Sequence, residues 1–179
     1  MSTNQFLTPH FTLQEMTESQ TAKKHDIANV PPPEAVENLR RLCVGTLEPL
    51  REKLQQPVVI TSGYRTKALN DIIVHASRKS QHMSGQAADF QVVQGSKFKV
   101  QGDEAAGSKL KGQSSRELLI RAFRLIIADE SIDFDQLIIY PSFIHVSYVS
   151  REKNRHQLTR ASGNGHYAAL SRAQALSIS

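Results

Sequence analysis

The sequence predicts a domain that mixes α-helices with β-strands, and three observations carry this. Apolar residues recur at steps of three and four over 33–54 and again over 114–128. Short β-branched runs stand at 57–61 and 87–93, and two apolar runs flank Pro141-Ser142, which reads as a hairpin turn. At 179 residues, with 39% apolar and 22% charged, the chain fits one globular domain over 1–179.

Taken in order, Thr12 to Lys24 is polar around Leu13, Met16 and Ala22 and reads as a short helix or two turns on the core. Prolines 31–33 suit entry into a helix whose apolar face is Val36, Leu39, Cys43, Leu47, Leu50 and Leu54. Pro49 lies inside this pattern and is expected to kink the helix or to start a new turn. Cys43, the only cysteine, reads as a core thiol and excludes a disulfide within one chain.

The run Pro57-Val-Val-Ile-Thr61 is a buried strand closed by Ser62-Gly63, and Ala87 to Val93 is a second strand of less regular alternation. Residues 94–113, rich in Gly, Lys and Ser, read as a mobile inserted loop. Ser114 and Glu117 form a capping box for the helix that follows, to about Ala128. Gln136 to Tyr140 and Phe143 to Tyr148 make the hairpin, and from about 151 a polar tail is expected over the surface.

The net charge of +5 and pI near 9.5 suit a polyanionic neighbour. No nucleic-acid-binding motif accompanies the charge, so nucleic acid is not expected as a partner. The N-terminal stretch lacks a basic segment followed by an apolar one, and no run approaches a transmembrane span, so synthesis in the cytoplasm without a signal peptide is expected.

Of seven histidines, His10, His25, His75, His156 and His166 fall in polar or loop stretches and read as surface residues. Six mostly small residues separate His82 from Asp89, a spacing that lets a loop carry the imidazole and a strand aim the carboxylate back at it. His145 is the odd polar residue in Phe143-Ile-His-Val146 and needs a partner for its ring nitrogens. Taken alone, such a histidine is more often a hydrogen-bonded core residue than a ligand. Together, two histidines and one carboxylate leave a fourth tetrahedral position for water, the open arrangement of catalytic zinc.

Ser80-Gln-His-Met-Ser-Gly-Gln-Ala-Ala-Asp89 and Phe143-Ile-His-Val-Ser147 resemble the two metal motifs of the zinc D-alanyl-D-alanine carboxypeptidase family, in its small single-domain subgroup with phage-type peptidoglycan peptidases. Further similarity lies in Phe11-Thr-Leu-Gln-Glu15, Ile60-Thr-Ser-Gly-Tyr-Arg65, Phe134-Asp-Gln-Leu137 and Asn154-Arg155. The resemblance implies an α+β fold of the hedgehog and DD-peptidase type: a small antiparallel sheet, helices on one side, and a zinc cleft. It implies zinc held by His82, Asp89 and His145, and a peptidoglycan peptide as substrate. It further implies that Arg65 binds a substrate carbonyl or carboxylate, a role that suits a permanently charged fork of donors. Ser80 is expected to bond near the metal and Gln81 to support the loop. Action at the cell wall would follow phage-type release.

One departure stands out. Many family members carry a carboxylate as general base after a segment like Asp135-Gln-Leu-Ile-Ile139, and here Tyr140 occupies that place. Asp135 is the nearest upstream acid, with Glu117 and Asp103 as more distant ones. Metal-assisted peptide hydrolysis is the expected activity, with Tyr140 able to stabilise an oxyanion. A non-catalytic, zinc-stabilised module binding wall peptide or serving in a phage particle is the alternative that Tyr140 favours. Charge alone speaks for a nucleic-acid-associated protein.

Overall fold

The computed structural model describes residues 5–95, 114–162 and 165–179. A short antiparallel pair, β1 (Phe6–Thr8) and β2 (Phe11–Thr12), runs directly into α1 (Leu13–Thr17) and α2 (Gln20–Lys24). Helices of five residues do not hold alone. Thr12 caps α1 in a reciprocal box with Glu15, Ser19 caps α2 through Ala22 N–H, and Leu13, Met16 and Ala22 are buried.

The long amphipathic stretch becomes α3 (Pro33–Leu42), a π-helical turn (Cys43–Leu47) and α4 (Glu48–Leu54). Pro49 explains the wide turn. In an unbroken α-helix Gly45 O would accept from residue 49, but proline has no N–H. Glu48 N–H reaches back to Cys43 O instead, and Gly45 O accepts from Asp133 N–H at 3.0 Å. Thr46 Oγ1 donates to Asp133 O at 2.5 Å, so the turn ties this helix to the segment ahead of the hairpin. Cys43 is fully buried, as expected of a core thiol, and burial pushes its pKa up.

Six strands make the main sheet: β3 (Val58–Ser62), β4 (Ala87–Val92), β5 (Gln136–Ile139), β6 (Ile144–Ser147), β7 (Gln157–Ala161) and β8 (Tyr167–Ala169). Their order is β3-β4-β6-β5-β7-β8, antiparallel throughout except for the parallel pair β5–β7. Between β3 and β4 lie α5 (Lys67–Ile72) and a 3-10 turn (Gln81–Ser84). The helix α6 (Ser115–Ala128) starts at the Ser114/Glu117 capping box, and α7 (Arg172–Leu176) ends the chain against it.

The pleat separates core from site. Ala88, Phe90, Val92, Leu137, Ile139, Ile144, Val146 and Leu158 face the core they share with α4 and α6. The alternate residues Asp89, Ile138, His145 and Thr159 line a cleft on the other face. The α+β class and the helices packed on a largely antiparallel sheet are therefore as expected.

Two expectations change. The hairpin strands are shorter, with a four-residue connection, Tyr140 to Phe143, closed by Tyr140 N–H to Phe143 O at 2.9 Å. The polar tail expected from about 151 is instead structural, because β7 and β8 extend the sheet and α7 packs on α6. Leu158 is the only large apolar residue of β7, so the strand rests mainly on its backbone pairing with β5 and leaves little hydrophobic signal. Except for Gln94 and Gly95, the inserted loop read at 94–113 lies outside the described residues.

Candidate active site

Sheet register places two of the three candidate metal ligands side by side: Asp89 of β4 pairs with His145 of β6, and both project into the cleft, whose volume is about 720 Å³. His82 arrives from the 3-10 turn. That turn ends at Gly85 with φ of +71°, where an added Cβ would stand 2.3 Å from Ala35 O. Arg65 N–H and Gly85 N–H both donate to His82 O, and Asn38 Nδ2 donates to Ser84 O at 2.9 Å.

The fully buried His82 ring donates from Nδ1 to Gly63 O at 2.6 Å, since a carbonyl can only accept. Its Nε2 is thereby left as a free lone pair aimed at the cleft. Nε2 of His82, Nδ1 of His145 and Oδ1 of Asp89 form a triangle with edges of 2.8, 3.3 and 3.4 Å. Ligands on a tetrahedral zinc with bonds of about 2.0–2.1 Å lie about 3.3 Å apart, so the three donors fit such an ion. Among the described residues this is the group of His, Cys, Asp and Glu side chains able to hold a metal.

Burial would raise the Asp89 carboxyl, but the two imidazoles override it and hold its pKa far below the usual carboxylate range. Burial lowers the His82 pKa, with Asp89 opposing, so its imidazole favours the neutral, ligating form.

Arg65, Ser80 and Tyr140, the other residues singled out in the sequence, all line the same cleft. Burial lowers the Arg65 pKa while Asp89 and Tyr140 raise it, and its Nε is buried without a hydrogen-bond partner among the described residues. Tyr140 stacks on Phe143 with ring centroids 4.2 Å apart and meets Tyr167 edge-on at 6.2 Å, the two hydroxyls being 3.3 Å apart. Tyr167 and Arg155 belong to the stretch expected to be a tail, and both line the cleft. Asn154-Arg155 was the available signal for the second; nothing in the sequence marked Tyr167.

Among the described residues, no carboxylate other than Asp89 lines this cleft. Glu117 is engaged as the cap of α6, and Asp103 lies outside the described residues. Asp135 is buried beneath the site and accepts from Arg155 Nε at 2.8 Å, Arg155 Nη2 at 2.5 Å, Arg155 N–H at 2.9 Å and Gln81 Nε2 at 2.9 Å. Gln81 O in turn accepts Gln86 N–H at 3.0 Å, so this network braces the turn that carries His82, the supporting role expected of Gln81.

Burial raises the Asp135 pKa, but the hydrogen bonds from Arg155 and then Gln81 outweigh it and bring the pKa down to about 2. A depressed carboxylate contributes stability that is full above the unfolded value near 3.9 and is lost as pH falls towards 2. Asp135→Asn is therefore expected to lower stability at pH 7 by about 2 kcal/mol and to flatten the loss between pH 4 and 2, as read by denaturant melts across that range.

Comparison with curated proteins finds no match. The model of the peptidase M15 family matches residues 9–117. The matched stretch carries Arg65, Ser80, His82 and Asp89, and β6 supplies the third donor, His145, beyond it. At the family level this implies a metallopeptidase acting on peptidoglycan-like substrates. With more than half its length matched and the three donors converging on one face of the sheet, the chain belongs to the peptidase M15 family, that of the zinc D-alanyl-D-alanine carboxypeptidases.

Proposed function

We propose that the protein is a zinc-dependent peptidase that hydrolyses a peptide bond of bacterial peptidoglycan, as a D-Ala-D-Ala carboxypeptidase or a related endopeptidase. The observation that carries this is the convergence of His82 Nε2, Asp89 Oδ1 and His145 Nδ1 at the floor of an open cleft. Zinc held there supplies a bound water of pKa near 7 and polarises the scissile carbonyl. Arg65 binds the substrate's carbonyl or carboxylate, which would satisfy its Nε, left without a partner among the described residues. Ser80, at the head of the His82 turn, is a polar contact for the peptide backbone. No helix among the described residues is long and apolar enough to cross a membrane, and action at the cell wall follows phage-type release.

A second reading has its own observation. Tyr140 takes the place of the expected carboxylate, which favours a wall-peptide-binding module that holds zinc without turnover. Digestion of purified peptidoglycan separates the two. Muropeptide mass spectrometry is expected to show new cleaved peptides that vanish with a chelator and return with zinc. Unchanged muropeptides at saturating zinc, together with retention of the protein on the wall, would establish the binding module instead.

A further inference from the structure

We propose that the hydroxyls of Tyr140 and Tyr167 act as one hydrogen-bonded pair that donates to the oxyanion formed at the scissile carbonyl, which makes Tyr167 a catalytic residue. This rests on the peptidase reading above.

The sheet builds the pair. Ile138 of β5 lies opposite His145, and Tyr140 follows two residues on, on the same face and about 6.6 Å further along the chain. The parallel register of β5 with β7 ends at Ile139 opposite Arg160, and one step further brings Tyr140 level with Ala161. Ala161 pairs with Tyr167 across the next ladder. A small buried alanine thus stands between two tyrosines, and their rings meet over it edge to face with the hydroxyls 3.3 Å apart. Phe143 stacks on Tyr140 and Tyr167 meets it at right angles, so the ring is held by two aromatic neighbours and loses little freedom when substrate binds.

The chemistry follows from what the pair is able to give. One hydroxyl donates to the other, and the second proton is left for an acceptor in the cleft. Burial first, then the hydrogen bond to Tyr167 and the charge of Asp89, raise the Tyr140 pKa, with Arg65 opposing. The phenol therefore stays protonated at neutral pH: a poor base and a ready donor. Such donors act where charge develops on a carbonyl oxygen, and a hydrogen-bonded neighbour strengthens the one that touches it. Tyr140 thus supplies a different function from the carboxylate it replaces. Tyr140 and Tyr167 line the same cleft as Arg65, His82, Asp89 and His145.

Tyr140→Phe and Tyr167→Phe remove the hydroxyls and keep the rings. On peptidoglycan at saturating zinc each is expected to lower kcat by about 10²-fold with KM, zinc content and Tm unchanged. The double variant is expected to be little worse than either single one, because the pair acts as a unit. A phosphinate peptide analogue, whose tetrahedral oxygens mimic the oxyanion, is expected to bind the Tyr167→Phe variant about 10²-fold more weakly, while an uncleaved product peptide binds both alike. Phenylalanine variants with wild-type kcat and phosphinate affinity would overturn the pair and leave the peptidase reading intact. Wild type without turnover at saturating zinc would overturn both.

Discussion

Replacing His82 with alanine is expected to lower bound zinc from about one ion per chain to near zero and to abolish hydrolysis of peptidoglycan. The imidazole is fully buried, its Nδ1 is committed to Gly63 O, and its Nε2 lies 3.4 Å from Asp89 Oδ1 and 3.3 Å from His145 Nδ1. Removing it leaves one nitrogen and one oxygen donor, too few to compete with water for the ion. His145→Ala is expected to behave in the same way, because sheet register gives Asp89 no other histidine neighbour on that row. His25→Ala, at the exposed end of α2, serves as the control and is expected to keep its zinc. Elemental analysis of the purified variants reads the result. Full zinc in His82→Ala would remove that residue from the site, and equal loss in His25→Ala would trace the effect to handling rather than to ligation.

The readability of this site in the sequence has a physical basis, and so does its limit. His82 and Asp89 stand out because Gly85, Ala87 and Ala88 surround them: the turn needs a left-handed residue, and the strand needs small ones. His145 stands out because its neighbours Ile144 and Val146 face the core and it does not. The helices over 33–54 and 115–128 were legible for the same reason, a strong periodicity that packing preserves. Pro49 announced a disturbance, but its form as a π-helical turn depends on Asp133, which is far away in sequence.

The strands β7 and β8 were not legible. The register of β7 is set by backbone pairing with a parallel neighbour some twenty residues earlier, from Gln136 opposite Gln157 onward, and β8, the exposed Tyr167-Ala-Ala169, pairs antiparallel with β7 and has no apolar alternation to read. Tyr167 was lost with them, because its position in the cleft is a property of the sheet and not of any local pattern.

Gly63→Ala is expected to damage both the fold and the metal site, although Gly63 is neither a ligand nor in a left-handed conformation. It follows β3, where Tyr64 N–H donates to Met16 O at 2.7 Å and draws the chain against the end of α1. A Cβ at Gly63 would stand 2.3 Å from Met16 O and 2.9 Å from Met16 C and Cα, all backbone atoms, so no side chain is able to swing away. Separating the two segments opposes the burial of Met16, which is complete, and the bonds from Asn29 Nδ2 to Thr17 O and Tyr64 O that hold the same junction. A loss of about 3 kcal/mol is expected, at the upper end for an overpacked contact. The displaced atom that matters for chemistry is Gly63 O, the acceptor that holds the His82 tautomer. Loss of such an outer partner lowers metal affinity by roughly 10–100-fold. Zinc titration of folded Gly63→Ala at low temperature, with a chromophoric chelator as competitor, separates this from the loss of stability. Wild-type zinc affinity in the folded variant would show that the carbonyl does not set the ring, and wild-type Tm would show that the junction yields freely.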